Sequence, residues 1–322
     1  MAATLKKHGE RGIALIVVLC MTSVMVGASV QMISQTRRET AETADLGDGL
    51  RALYLARSGI AFSQALLNAE DHDYDSLTSS WADAEAVSAR FNELFAEGEV
   101  SIVIEDETGK IPLNALINPD GSVNKGLRDM LLRLLAQPEW NLKEEQREEI
   151  VSRLQAWMAT AAPASQGSGS QEKTSAADRK GPFQFPDEIL KTGALTRDLL
   201  YGTTDQPGLC ACITLYGKGK ININTAPRTV LKALFPGISE AVADQMEQFR
   251  SSDNEKLSDP AWYREIIGTS GLNPPSDLIS VKSDALRVSS TGRLQGCRRA
   301  VTGVLEREGK TEKFKLRFVG MD

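Results

Sequence analysis

From Ile13 to Thr36 the sequence reads IALIVVLCMTSVMVGASVQMISQT, 24 residues without a charge. As a helix rising 1.5 Å per residue, the run is about 36 Å long and crosses a hydrocarbon core of roughly 30 Å. Lys6, Lys7 and Arg11 precede it, which puts the N-terminus on the cytoplasmic side and everything after residue 36 on the far side. The mean hydropathy of −0.24 conceals this segment, because the rest of the chain is polar enough to balance it.

A cleaved secretory signal would have a shorter apolar core and then a small-residue cleavage site. Here the run passes without a turn signal into Arg37–Ala69, where Leu46, Leu50, Leu53, Tyr54, Ile60, Ala61 and Leu67 fall mostly at i, i+3 and i+4 steps. The two stretches together predict one long rod, its second half amphipathic, with Gly47 and Gly49 as the place where it would bend. A plain signal anchor fits the same length and flank.

Past the rod, residues 71–80 (DHDYDSLTSS) form a polar break, and a helix is expected around Trp81–Ala96. Alternation of Val100, Ile102 and Ile104 marks a strand over Glu99–Glu105. Turn residues crowd 106–122, and helical spacing resumes over Leu127–Leu135 and Lys143–Met158. Residues 159–180, rich in Ser, Ala, Gly and Gln, read as an exposed loop. A short helix follows within 181–200, starting at Pro186 and Asp187. GKIPLNAL (109–116) is echoed by GKININTA (219–226), each an extended stub feeding a helix start, so two related small helical units are expected. Helices are expected at 228–235, 239–250 and Asp259–Ile267. DALRVSSTGRL, CRRAVTGVLERE and EKFKLRFVG then switch to strand spacing, with turns at Gln295-Gly296 and Glu308-Gly309-Lys310. This order makes an α+β fold.

Chemistry is sparse. A net charge of −6 and a pI near 5.3 oppose a general nucleic-acid binder. The four cysteines and two histidines (His8 in the leading tail, His72 alone) leave no zinc site of ordinary spacing and no His-dependent triad beyond a single residue. No Gly-x-Ser-x-Gly elbow, Walker loop or HExxH stands in the chain, which is read as not an enzyme. Asp71, Asp73 and Asp75 fail the EF-hand pattern, with Ser76 where glycine is needed and Ala82 at the twelfth position, and are read as a solvated loop. Cys20 is a small apolar residue of the membrane run. In an oxidising compartment one of Cys210 and Cys212 is free to pair with Cys297, leaving an odd thiol.

The basic leader KKHGERG ends in Gly12 directly before IALIVVL, which resembles the class III leader of type IV pilins and type II secretion pseudopilins. Further pieces extend the likeness: YLARSGI in the rod, DETGKIPLNAL at 106–116, FPDEILKTG at 185–193 and GKININTAPRTVLKALFPGIS at 219–239. In order and spacing they resemble the K-type minor pseudopilin of the type II secretion system, from Arg11 almost to the C-terminus. The resemblance implies cleavage after Gly12 by the prepilin peptidase and N-methylation of Ile13. Most such proteins carry glutamate at the fifth mature position, where this chain has Val17. The K subclass shares that departure, as suits a subunit that starts the fibre and has no neighbour above it.

The same likeness implies a pilin-like long helix packed on an antiparallel sheet, with a large inserted all-α domain of two sterile-alpha-motif-like units. On it we divide the chain into a leader (1–12), the transmembrane (13–36) and amphipathic (37–70) halves of the long helix, and the first part of the pilin-like domain (71–116). The insertion follows (117–277: units 117–218, with the loop 159–180, and 219–277), then the C-terminal strands (278–322). The implied role is to cap the pseudopilus tip and prime its assembly, supporting export of folded proteins across the outer membrane. The implied partners are the I-type and J-type minor pseudopilins, the major pseudopilin, the inner-membrane assembly platform and the prepilin peptidase. The implied place is the inner membrane of a Gram-negative type bacterium, with a single pass, a cytoplasmic leader and a periplasmic head. No cofactor is called for. Calcium, found in the soluble part of some members, stays open with no ligand carried over, because the comparable AWMATAAPAS (156–165) has no acid.

NINTAPRTVLKALFPGISEAVADQMEQFR also resembles a helix-hairpin-helix, so the competing function is a membrane-anchored DNA-binding module of a competence-like uptake system. Against it, Ser239 replaces the second hairpin glycine and Glu240, Asp244 and Glu247 precede Arg250. Loss of residues 1–12 would remove three basic residues and one acid and take the chain to −8, so the acidity belongs to the head.

Overall fold

The computed structural model describes residues 10–69, 73–159, 181–204, 206–252, 255–266, 268–269, 271–272, 274–309 and 312–321. Helix α1 runs unbroken over Glu10–Ala69. It is the one helix among the described residues long and apolar enough to cross a membrane, and none of its most apolar stretch is buried in the protein. No break occurs at Gly47 or Gly49; the second glycine instead lies against the Arg299 guanidinium of the head.

Beyond Gly49 the buried side of α1 is small: Ala52, Ala56, Gly59 and Ser63, then Ile60, Leu66 and Leu67. Small residues let the helix axis approach a sheet until backbone meets backbone. The sheet has four antiparallel strands in the order β1-β6-β7-β8, built from β1 (Glu99–Asp106), β6 (Ala285–Leu294), β7 (Cys297–Arg307) and β8 (Phe314–Met321). Val100, Ile102 and Ile104 of β1, Leu286 and Val288 of β6, and Val301 and Leu305 of β7 join the helix in one core with Trp81 and Phe91. The β6–β7 turn is the expected two-residue one, with φ of 47° at Gln295 and 85° at Gly296.

Helix α2 (Ala84–Asn92) is shorter than the expected 81–96, because Asp83 caps it through the Glu85 and Ala86 amides and Trp81 is committed to the core. Its polar face closes the outer edge of β1. Ser88 Oγ and the Asn92 amide exchange hydrogen bonds with the backbone of Ile102 and Val100 at 2.8–3.3 Å, so that edge offers no ladder to another strand.

Between β1 and β6 the chain builds a second body with its own continuous core. Two short parallel pairs frame it: β2 (Ile111–Pro112) with β3 (Ile213–Thr214), and β4 (Ile221–Asn222) with β5 (Ile279–Ser280). β2 and β4 are the stubs of the sequence echo, and each feeds helices: α3 (Lys125–Leu135), α4 (Glu144–Ala159), α5 (Asp187–Lys191) and α6 (Arg197–Tyr201) after the first, α7 (Arg228–Leu234) and α8 (Glu240–Arg250) after the second. The halves interlock where Arg133 Nε donates to the Ala233 carbonyl at 2.6 Å and Gln137 Nε2 to that of Thr229 at 2.7 Å.

Two expectations change here. The single helix of 181–200 is two, α5 and α6, separated by Gly193 at φ 65°. The helix expected at Asp259–Ile267 is only a 3-10 turn, Trp262–Glu265. Trp262 donates to Asn224 Oδ1 at 2.8 Å while its neighbour Tyr263 packs edge-on against Phe235, and two successive side chains held in different directions do not suit an amphipathic α-helix. Of the loop 159–180, only Ala159, the last residue of α4, lies within the described residues.

Candidate functional site

Gly12, Ile13 and Val17 lie in the first turns of α1. Ile13 is 65% exposed and Val17 45%, so neither side chain packs against the head. The uncharged run therefore presents no carboxylate at all, at residue 17 or elsewhere.

What holds the head together lies where the chain leaves the sheet after β1 and returns before β6. Three carboxylates anchor it there. Asp106 Oδ2 accepts from Ser283 Oγ at 2.5 Å, Thr225 Oγ1 at 2.6 Å and Asn222 Nδ2 at 3.0 Å, and its Oδ1 accepts from the Thr108 amide at 2.7 Å. Asp75 Oδ2 accepts from the Ser283 amide at 2.7 Å and Arg307 Nη2 at 3.0 Å, and its carbonyl takes the side-chain amides of Asn222 and Asn224, both at 3.2 Å. Glu107, fully buried, accepts from Thr214 Oγ1 at 2.5 Å, Arg287 Nε at 2.7 Å and Lys110 Nζ at 2.9 Å. Their hydrogen bonds thus tie the segment after α1, the end of β1, β3, β4 and the β6–β7 hairpin.

The adjacent acids are pushed apart electrostatically. Burial drives Asp106 up to about 6, against its Ser283, Thr225 and Thr108 hydrogen bonds, and the Asp75 charge adds to the rise. Burial acts on Glu107 in the same sense, but the Lys110 and Arg287 cations outweigh it and hold that carboxyl below its usual range. Because Asp106 is raised in the folded chain, its ionisation costs stability, progressively, between the ordinary value of 3.8 and about 6. The Glu107 contribution runs the other way: it is complete above the ordinary 4.5 and fades only below it. Between 4.5 and about 6 the melting temperature should therefore fall as pH rises, by an amount worth on the order of 2 kcal/mol. Asp106→Asn should flatten that slope; an unchanged slope in thermal melts of the two proteins would refute the assignment.

Asp75 corrects the sequence reading. Asp73 is exposed, as a solvated loop requires, and Asp71 is outside the described residues, but Asp75 is only 4% exposed and is a structural anchor. No cluster of three metal-ligating side chains occurs among the described residues. The proposed disulfide also changes: all four cysteines are free. Cys297 sits at the hairpin against the Asp45 carbonyl, whereas Cys212 is buried in the inserted body beside Thr229 Oγ1 at 2.9 Å.

The helix-hairpin-helix face is occupied by its own ions. Arg228 pairs with Asp244, with Glu247 at 3.0 Å and with Glu240 at 2.8 Å, while Lys232 reaches Glu240 at 2.7 Å. Ser239 Oγ accepts from the Val242 amide to cap α8. Three carboxylates around the hairpin oppose a phosphate backbone, and the residues of the expected motif pack the core: Ile221, Ile223, Val230, Leu231 and Leu234 are buried without residue.

Known proteins resemble this arrangement at two levels. Residues 221–282, from β4 through β5, match the family model described as type II secretion system (T2SS), protein K. A comparison with curated proteins gives no match. In fold, the chain is similar to a chain of the crystal structure of the GspK–GspI–GspJ complex from the type 2 secretion system of enterotoxigenic Escherichia coli. That likeness has a TM-score of 0.56 at 15% identity and covers 89% of this chain and 99% of that one. Residues 221–282 are thus similar to protein K of the type II secretion system, and the fold that surrounds them is similar to that of a chain in the solved complex.

Proposed function

We propose that this subunit caps the tip of the secretion pseudopilus and primes its assembly. The observation that carries the reading is the side body inserted between β1 and β6, which gives the head a second core as large as a small domain. A pilin stacked within a fibre has neighbours above and below, and a body of this bulk suits the position with no subunit above. The uncharged run supports the same end: Val17 supplies no carboxylate to an upper neighbour's N-terminal amine. I-type and J-type minor pseudopilins are the partners of choice, since the structural relative is a complex of that composition. The major pseudopilin and the inner-membrane assembly platform follow from growth of the fibre below the tip. In this reading α1 anchors the chain in the inner membrane with the head in the periplasm. The prepilin peptidase cuts after Gly12, and Ile13 is methylated. The role is assembly and not catalysis.

Intact-mass measurement of the chain from cells with and without prepilin peptidase tests the processing. The expected loss is residues 1–12, blocked by substitution of Gly12, and a mass retaining them in peptidase-positive cells would overturn it. Capping has its own test. Val17→Glu is expected to leave secretion and tip placement unchanged within about twofold, since no subunit above can use the carboxylate. Val17→Glu subunits spread along isolated fibres would refute the tip assignment. Salt-sensitive retention of DNA by the chain would favour the uptake reading instead.

A further inference from the structure

The sheet face turned away from α1 does not rest flat on the inserted body. A cleft of about 450 Å³ separates them. Glu105, Arg287, Thr302, Val304 and Phe318 form the sheet wall, and Phe185, Ile189, Tyr201, Cys210 and Tyr216 belong to the facing wall.

We propose that this cleft binds an extended segment of a partner protein that brings a carboxylate and an adjoining apolar side chain. Arg287 is the cation that would receive the carboxylate. Its Nε is fixed to Glu107, yet its two Nη groups make no hydrogen bond to any described residue, and the side chain keeps 33% of its exposure. A guanidinium clamped at one edge and open at the other is pre-organised for a carboxylate. Lys110, the second cation on the lining, is spent on the same Glu107. Tyr216 adds a half-buried hydroxyl with no partner among the described residues, and burial pushes its phenol up, so it remains a donor.

The apolar half of the ligand is read from the rim. Phe185 is 48% exposed and meets Phe318 edge to face with ring centroids 5.8 Å apart. Tyr201, 42% exposed, turns its hydroxyl away to Asp187 and leaves its ring at the mouth. Aromatic walls with one oriented polar fork are the usual composition of a ligand site, and the volume is in the range of such sites. An apolar ligand without charge would desolvate the Arg287 Nη groups and give them no acceptor, which disfavours it. The inference does not rest on the place of the subunit in the fibre.

Cys210 on the cleft wall provides the readout. In the full chain in detergent, carrying Cys20→Ala and Cys297→Ala, the rate of maleimide modification of Cys210 is followed by peptide mass spectrometry. The probes are N-acetyl-Phe-Leu as the free acid and as its C-terminal amide. The acid is expected to slow modification about fivefold and to bind about tenfold tighter than the amide. Arg287→Gln should erase the acid–amide difference. Because Arg287 also pairs with Glu107, Phe185→Ala is the second variant: it should weaken both probes about equally with an unchanged melting temperature. Equal protection by acid and amide, or none by either, would overturn the proposal. So would protection that depends on protein concentration without peptide, which would make a second copy the occupant.

Discussion

Gly292→Val is expected to detach the rod from the sheet. A Cβ at Gly292 would stand 2.2 Å from the Ala52 carbonyl oxygen and 2.9 Å from the Ala56 amide nitrogen, both backbone atoms of α1. No side chain can swing aside, so the helix must lift by more than an ångström along its contact with β6, opening the core that Ile60, Ile102 and Val288 share. Overpacking of this kind costs about 3 kcal/mol or more, a large part of the stability of an ordinary domain. Thermal melts and protease susceptibility of the detergent-solubilised chain read the effect. Gly47→Ala serves as the contrast: nothing lies within 4 Å of its Cβ, so it should be neutral or stabilise the helix by about 1 kcal/mol. Equal melting of Gly292→Val and the parent would refute the close packing of α1.

Asp75→Ala should be comparably severe for a different reason. It strands Arg307 Nη2 and the Ser283 amide where β7, the loop before β6 and the segment after α1 meet. Losing one partner of a buried pair leaves an uncompensated charge, a cost of about 3–5 kcal/mol. Arg307 also stacks on Phe314 with its guanidinium carbon 4.4 Å from the ring centroid, so Arg307→Met keeps that contact while removing the charge. The double variant Asp75→Ala/Arg307→Met should therefore melt closer to the parent than Asp75→Ala does. A double variant no better than the single one would show that the ion pair is not what Asp75 supplies.

These two sites differ in how far sequence could reach them. Strand alternation at Val100, Ile102 and Ile104, the Gln295-Gly296 turn and the leucines of α3 are local signals, and the structure places elements where they point. The GKI stubs were legible as an echo, although only the fold reveals that each opens a parallel pair, with partners at 213–214 and 279–280. Asp75 gave no such signal. Its partners Ser283 and Arg307 lie 208 and 232 residues away, and three aspartates at alternate positions read locally as a polar loop. Asp106 and Glu107 sat among turn residues for the same reason. Trp262 and Tyr263 looked helical because periodicity cannot distinguish one buried stripe from two neighbours anchored to different partners.

The chain enters and leaves the side body at one place in the sheet. The Glu107 amide donates to the Ala285 carbonyl at 3.0 Å, and Asp106 faces Leu286 in the ladder. The two ends of a segment of well over a hundred residues are therefore next-door neighbours, as they would be in a tight hairpin. Since closure entropy grows only with the logarithm of loop length, lengthening a hairpin turn into a whole folded cassette adds little to the cost of pairing β1 with β6. The strands need no change of register to accept it. Trimming 108–284 to a brief turn defines a minimal scaffold of α1, α2 and the four-stranded sheet.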